Sequence, residues 1–278
     1  MINLIEGRSD FQTIGNTYPV ADNIIREEVI IAGVPCTWFT PADAEEDNIV
    51  IYIHGGAFIF GSTNSHAPMV SYIARELNRK VLMINYRLAP EHPFPAGIVD
   101  CTVVINAFCE ENPDITFGII GDSAGGNLTM TTQLVLRDTK GPAAQYTIVI
   151  SPWTDLECKS ESHERNKKVD TVLTTAYLVE AAGMYAPSQN LSTPVLSPVN
   201  AKFDGFAPVL ILSGTYEILQ DDSINLHKRL VESGVEAELE SFEGQLHVWP
   251  FMDIHTEASR KALSKMADFA AKHSTVKN

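Results

Sequence analysis

Short apolar runs alternate with amphipathic stretches along most of this chain. Residues 48–53 (NIVIYI), 80–85 (KVLMIN), 115–120, 146–150 and 208–212 are largely unbroken apolar segments of strand length, the pattern of strands buried on both faces. Between them the period lengthens. Residues 67–78 place Met69, Val70, Ile73, Ala74 and Leu77 on one helical face. Residues 96–110, 124–136, 223–233 (stopped by Gly234) and 256–272 also read as helices, with Leu128, Leu134 and Val135 on the buried side of the second. Residues 236–242 form the last expected strand. Near the start, residues 28–39 read as two strands around a turn at Ala32-Gly33-Val34-Pro35, and 41–47 as an acidic loop.

Strands alternating with helices imply an α/β fold with a mostly parallel central sheet covered on both faces. In such sheets functional residues gather beyond the carboxyl ends of the strands. Two stretches depart from the rhythm. Residues 1–25 are weakly periodic and read as a short segment lying over the domain. Residues 157–198 begin polar (KSESHERNKK around 159–168), become helical at 176–185 and end proline-rich, without a strand. That insertion reads as a lid or cap. We expect a single domain, 1–278, with no internal repeat or linker.

Composition narrows the classes. At 45% hydrophobic and 20% charged, 278 residues can bury a large core. Twenty Lys and Arg against 35 Asp and Glu give −15, a field that repels nucleic acid and anionic lipid. It suits a small neutral or cationic substrate, although solubility alone accounts for such a charge. No basic start followed by an apolar run is present, and no run of about 18 apolar residues. Cys36, Cys101, Cys109 and Cys158 lack metal or redox spacing and read as buried thiols in a reducing cytoplasm. The eight histidines show no zinc pattern. Gly56 and Gly61 have phosphate-loop spacing, but Ser62-Thr63 follows instead of Lys-Ser/Thr. We therefore expect no metal, no cofactor, no nucleic acid and no membrane partner. The oligomeric state is open, a homodimer included.

The chemistry-bearing stretch is Gly121-Asp122-Ser123-Ala124-Gly125, between an expected strand and an expected helix. G-x-S-x-G in that context presents a serine hydroxyl at the tip of a tight turn, with the helix N-terminus beside it. An anion-binding or merely connecting turn is the alternative. A serine nucleophile needs a base, the base an orienting acid, and the oxyanion fixed N–H donors. The order on this topology is serine, acid, histidine. His247 follows the last strand in the loop 243–249 and is the best base. His227, His255 and His273 fall on expected helices, and His163 reads as surface. The acid belongs in the loop after 208–212, where Glu217 is nearest the strand end. Asp221 and Asp222 compete, but they lie where a helix N-cap belongs. After strand 48–53 comes His54-Gly55-Gly56-Ala57. The amides of Gly55 and Gly56, with that of Ala124, are the expected oxyanion donors. A simple Gly-Gly turn is the plainer alternative.

Read together, HGGAF (54–58), YRLAPEHPFPA (86–96) with Asp100, GDSAGGN (121–127), SPWTDL (151–156), YEILQDD (216–222) and His247 resemble the hormone-sensitive-lipase-like family of α/β-hydrolases, in particular the small bacterial esterases. The resemblance runs from about residue 48 to 250. It implies cofactor-free hydrolysis of carboxylic esters, with Asp100 and Asp155 bracing loops near the site. Three departures stand out. Ala57 replaces the third glycine of HGGG, Glu217 stands where an aspartate is usual, and the N-terminal cap is short, which suggests an open site. The expectation is a short-acyl serine esterase using Ser123, His247 and Glu217. A peptidase or amidase, or a non-catalytic binding protein of the same fold, are the rivals.

Overall fold

The computed structural model describes residues 2–274; Met1 and residues 275–278, the two ends of the expected single domain, lie outside the described residues. In chain order the elements are α1 (Leu4–Gly15), β1 (Ile24–Ile31), β2 (Val34–Pro41), β3 (Glu45–Ile53), α2 (Thr63–Leu77), β4 (Arg79–Ile84), α3 (Ala96–Glu111), β5 (Thr116–Asp122), α4 (Ser123–Asp138), β6 (Thr147–Ile150), α5 (Ser162–Arg165), α6 (Thr175–Tyr185), β7 (Val209–Gly214), α7 (Gln220–Glu232), β8 (Ala237–Phe242), α8 (Trp249–Met252) and α9 (Glu257–His273). A 3₁₀ turn covers Pro198–Asn200.

The described strands form one eight-stranded sheet in the order β1-β2-β4-β3-β5-β6-β7-β8. β1 and β2 make an antiparallel hairpin, and β2 meets β4 antiparallel. Every pairing from β4 to β8 is parallel. The hairpin turns at Ala32 and Gly33, both in the left-handed region (φ +49° and +80°), as a tight two-residue connection requires.

Successive residues of the central strands enter opposite cores, the period-2 consequence of the pleat. Ile49, Ile51 and Ile53 of β3 pack with α3, whereas Val50 and Tyr52 pack with α2 and α9. A third cluster joins Val209 and Ile211 of β7 to Leu226 and Leu230 of α7. Both faces are therefore covered. Among the described residues, no helix is long and apolar enough to cross a membrane.

Several expectations need correction. α2 starts at Thr63, four residues before the periodic stretch, because Ser62 and Ser65 form a capping box ahead of it. β3 reaches back to Glu45, into the stretch expected to be loop. α4 has no single buried side: residues 123–134 are all buried, while Val135 is only half-buried. Its threonines sit in the interior; the Thr131 hydroxyl, for one, donates to Asn127 O. The weakly periodic start holds a twelve-residue helix, α1, capped by Asn3, whose side chain accepts from the Glu6 amide. The four cysteines are not bonded to one another, with Cys36, Cys101 and Cys158 buried and Cys109 half-buried.

Candidate active site

β5 passes into α4 through Ser123, whose φ of +52° places it in the left-handed region. That sharp reversal is possible only if the flanking positions are small. A Cβ on Gly121 would lie 2.4 Å from Thr129 Oγ1, and one on Gly125 would lie 2.1 Å from Ile53 O at the end of β3. The next loop braces the turn, since Trp153 N donates to Ser123 O at 3.1 Å.

Three side chains from three strand ends converge here. Ser123 Oγ lies 2.8 Å from His247 Nε2. His247 Nδ1 lies 2.8 Å from Glu217 Oε2. An ionised carboxylate only accepts, so Nδ1 carries the ring hydrogen and Nε2 accepts from the serine hydroxyl. Glu217 Oε1 accepts from Gly214 N at 2.7 Å and from Ser213 Oγ at 3.1 Å. Both carboxylate oxygens are thus engaged, and Glu217 is fully buried. Ser123 and His247 keep 8% and 7% exposure, the narrow access a substrate needs. Val248 follows in the left-handed region (φ +46°), and its amide donates to Ser151 Oγ at 3.1 Å, which holds the histidine loop against the end of β6.

The rival carboxylates do other work. The expectation that Asp221 and Asp222 cap α7 is wrong: its N-cap is Leu219, without a side-chain cap. Asp221 accepts from Ser162 N at 2.8 Å and pairs with Arg165. Asp222 is buried, and its Oδ2 accepts from Thr154 N at 2.7 Å and Asp155 N at 2.8 Å. Burial, with the Asp155 and Glu217 carboxylates nearby, pushes the Asp222 carboxyl up to about 8. Asp155 in turn accepts from Glu157 N, and Asp100 accepts from both the backbone and the guanidinium of Arg87. Both aspartates brace loops.

The remaining histidines separate from the site. His163 is buried, not at the surface, with Nδ1 at 3.0 Å from Thr175 Oγ1, and burial lowers its pKa. His255 lies in a turn before α9, not on a helix. His227 sits on α7 beside Ala237 O, and His273 ends α9. Burial, with His66 close by, drives the pKa of His54 down to about 3, so it serves its loop as a neutral ring.

Of the three amides expected to face an oxyanion, one is already hydrogen-bonded. The Gly55 amide donates to Asp122 Oδ1 at 3.0 Å and so is committed elsewhere. Gly56 and Ala57 both line the cavity in front of Ser123, each with positive φ (+114° and +54°). The composition at 54–57 does not distinguish these amides; the hydrogen bond from Gly55 to Asp122 does.

A cavity of 230 Å³ opens on Ser123 and His247. Part of its wall comes from the two stretches that broke the βα rhythm and is apolar apart from Asp10: Phe11 and Ile14 from α1, and Leu173 and Leu178 from the insertion. Phe251 of α8, a short helix absent from the expectations, completes it. Ligand atoms for a metal approach one another elsewhere, at Glu236, Glu238 and His273 on the far edge of the sheet, among the described residues. Lys272 Nζ already pairs with both carboxylates there, at 2.8 and 3.0 Å.

A serine hydroxyl aligned with a base and a buried acid, at the carboxyl edge of a parallel sheet, is the apparatus of a serine hydrolase. Residues 50–251 match the α/β hydrolase fold family. The chain belongs to that family and, within it, to the hormone-sensitive-lipase-like esterases. An acetyl-hydrolase of Streptomyces hygroscopicus is 31% identical over 237 residues, 84% of this chain and 79% of that protein. A solved esterase of the bacterial hormone-sensitive lipase family superposes with a TM-score of 0.95 at 31% identity, covering 98% of this chain and 92% of the other. The structure of EstE5 soaked with p-nitrophenyl butyrate gives 0.93 at 30% identity, with the same coverage.

Proposed function

We propose that this chain is a serine carboxylesterase acting on neutral esters with short acyl groups, through an acyl-enzyme on Ser123. The observation that carries the reading is the unbroken hydrogen-bonded chain Glu217–His247–Ser123 opening on an apolar cavity of 230 Å³. That volume lies below the range of drug-sized ligand sites, about 300–1,000 Å³, which favours small esters. The acetyl-hydrolase and the butyrate-soaked esterase point the same way.

In this mechanism His247 Nε2 takes the Ser123 proton as Oγ attacks the ester carbon. Glu217 stabilises the imidazolium that forms. The amides of Gly56, Ala57 and Ala124 receive the oxyanion, with Ala57 replacing Gly55 in the expected set. His247 then protonates the leaving alcohol, and water releases the acid by the reverse sequence. α1 and the insertion 157–198 act as the cap of a single domain. The reading includes a cytoplasmic protein with no nucleic-acid or membrane partner, as a monomer or a homodimer. Four cysteines without metal or redox spacing and a net charge of −15 support it.

A panel of p-nitrophenyl esters from acetate to long chain tests this, with Ser123→Ala as control. We expect the highest kcat/KM at acetate to butyrate and no turnover by the variant. A higher kcat/KM on a long-chain ester refutes the short-acyl assignment, and an active Ser123→Ala refutes the nucleophile.

A further inference from the structure

The catalytic steps leave one buried charged group at the site without a role. Asp122, immediately before the nucleophile, is 3% exposed. Its Oδ1 accepts from Tyr52 OH at 2.7 Å and from Gly55 N at 3.0 Å. Its Oδ2 faces His66 Nε2 at 3.5 Å. Space at Gly55 is left for this carboxylate, because a Cβ there would stand 2.1 Å from Oδ2. Burial opposes the ionised form, but His66, Tyr52 and the Gly55 amide together hold Asp122 below its ordinary pKa.

We infer that Asp122 is a positioning residue that sets the distance between the nucleophile and the oxyanion donors; the inference rests on the esterase reading above. Both ends of its key hydrogen bond lie one residue from the chemistry. Asp122 precedes Ser123, and Gly55 precedes the Gly56–Ala57 pair. A slip of the oxyanion loop against the elbow therefore has to break this bond first. The loop has few other ties of that kind. Tyr86 OH donates to His54 O at 2.8 Å, and the Phe60 and Ile59 amides turn back on Gly56 O. None of these reaches the elbow.

The partners also fix which replacement works. Asparagine keeps an oxygen for Tyr52 and Gly55, and turns its amide toward His66. His66 can accept it by moving its own hydrogen to Nδ1, which lies 3.0 Å from Ser65 Oγ. That hydroxyl donates to Ser62 O at 3.1 Å and accepts from Ser62 N at 3.0 Å, which leaves one lone pair for the ring hydrogen. Asn therefore preserves the tie without the charge, and alanine removes it.

The test compares Asp122→Ala and Asp122→Asn on p-nitrophenyl butyrate, with binding of a boronic acid that forms a tetrahedral anion on the serine. Loss of alignment for the oxyanion donors is worth about 10²–10³-fold in kcat. We expect that loss in Asp122→Ala with KM within a few-fold, a parallel loss of boronate affinity, and recovery in Asp122→Asn to within about tenfold of wild type. Asp122→Leu with Tyr52→Phe serves where the alanine variant does not fold, because it fills the space and leaves no orphan hydroxyl. Wild-type kcat in either tie-less variant, or an equal loss in Asp122→Asn, overturns the inference. Ser123→Ala in the same assay tests the esterase reading separately, so the two can fail independently.

Discussion

The two sides of the catalytic cavity are built by different rules. The floor consists of strand ends and loops whose side chains are bonded to backbone. Glu217 has donors on both oxygens, Asp222 holds two amides, and Asp122 holds a third. The roof, α1 with the insertion, contributes apolar contact instead. Its exposure is high: Ile14 is 38% and Val172 40% accessible. The insertion is anchored behind its cavity wall by polar bonds to the acid loop, with Asn166 Nδ2 donating to Thr215 O and Glu217 O and the Ile218 amide to Asp170, but α1 has few such attachments. Arg8 reaches Ile59 O, Ala89 O and the half-exposed Glu91, the last a surface pair of the kind worth at most about 1 kcal/mol. A hydrogen-bonded floor tolerates little displacement, which suits transition-state alignment. An apolar roof can be reshaped at small cost to the chemistry, which makes it the place to test for acyl selection.

The largest effect expected from this contrast is at the acid. Glu217→Gln keeps the shape of the floor but loses the charge facing Nδ1, so the ring can take the wrong tautomer. On the protease template kcat falls by roughly three to four orders of magnitude, while the melting temperature changes little. Asp221→Asn, remote from the ring and paired with Arg165, leaves kcat near wild type. Steady-state kinetics with a thermal melt decide this. A nearly normal Glu217→Gln enzyme would show that the floor's hydrogen bonds do not govern rate.

The same contrast explains what could be read from sequence. The floor was legible because its parts are local: an elbow needs small residues two before and two after its serine, and a base after the last strand announces itself by position. The roof was not. α1 presents glycines where it packs closest. A Cβ on Gly15 would meet Ser65 O at 2.0 Å, and one on Gly7 would meet Phe60 at 2.6 Å. Contacts made by the absence of a side chain leave no apolar period. Within the floor, the errors were long-range ones. The Gly55 amide is engaged by a carboxylate 67 residues away, and Asp222 bonds loop amides 67 and 68 residues away instead of capping its own helix.

A smaller effect comes from cutting the roof. Phe11 packs against Phe60 and Phe251 at ring separations of 6.0 and 5.3 Å. Phe11→Ala enlarges the cavity and removes no hydrogen bond of the floor, although it strips a ring from Phe60 and His66. The ratio of kcat/KM for hexanoate over acetate should rise roughly tenfold, the low end of what a methylene-sized change of fit is worth. kcat on acetate should stay within a few-fold. An unchanged ratio would remove acyl selection from the roof.

The smallest effect is on stability alone and concerns the one floor group buried against its charge. Asp222 titrates at about 8 in the fold, against an ordinary value of 3.8. Below the ordinary value both states hold the proton and nothing is lost. Between 3.8 and about 8 the unfolded chain releases it while the native chain retains it, so the native state binds more protons and stability falls as pH rises. Above that the contribution is flat. Asparagine offers the oxygen that Thr154 and Asp155 need but does not titrate. Asp222→Asn should therefore gain on wild type as pH rises, with the difference in melting temperature between the two proteins drifting by a few degrees in the variant's favour from pH 5 to pH 8. Paired melts across that range read the drift directly. A difference that stays constant would mean that Asp222 is ionised in the fold, stabilised by its two amide donors, and that the floor carries no stored charge penalty at this position.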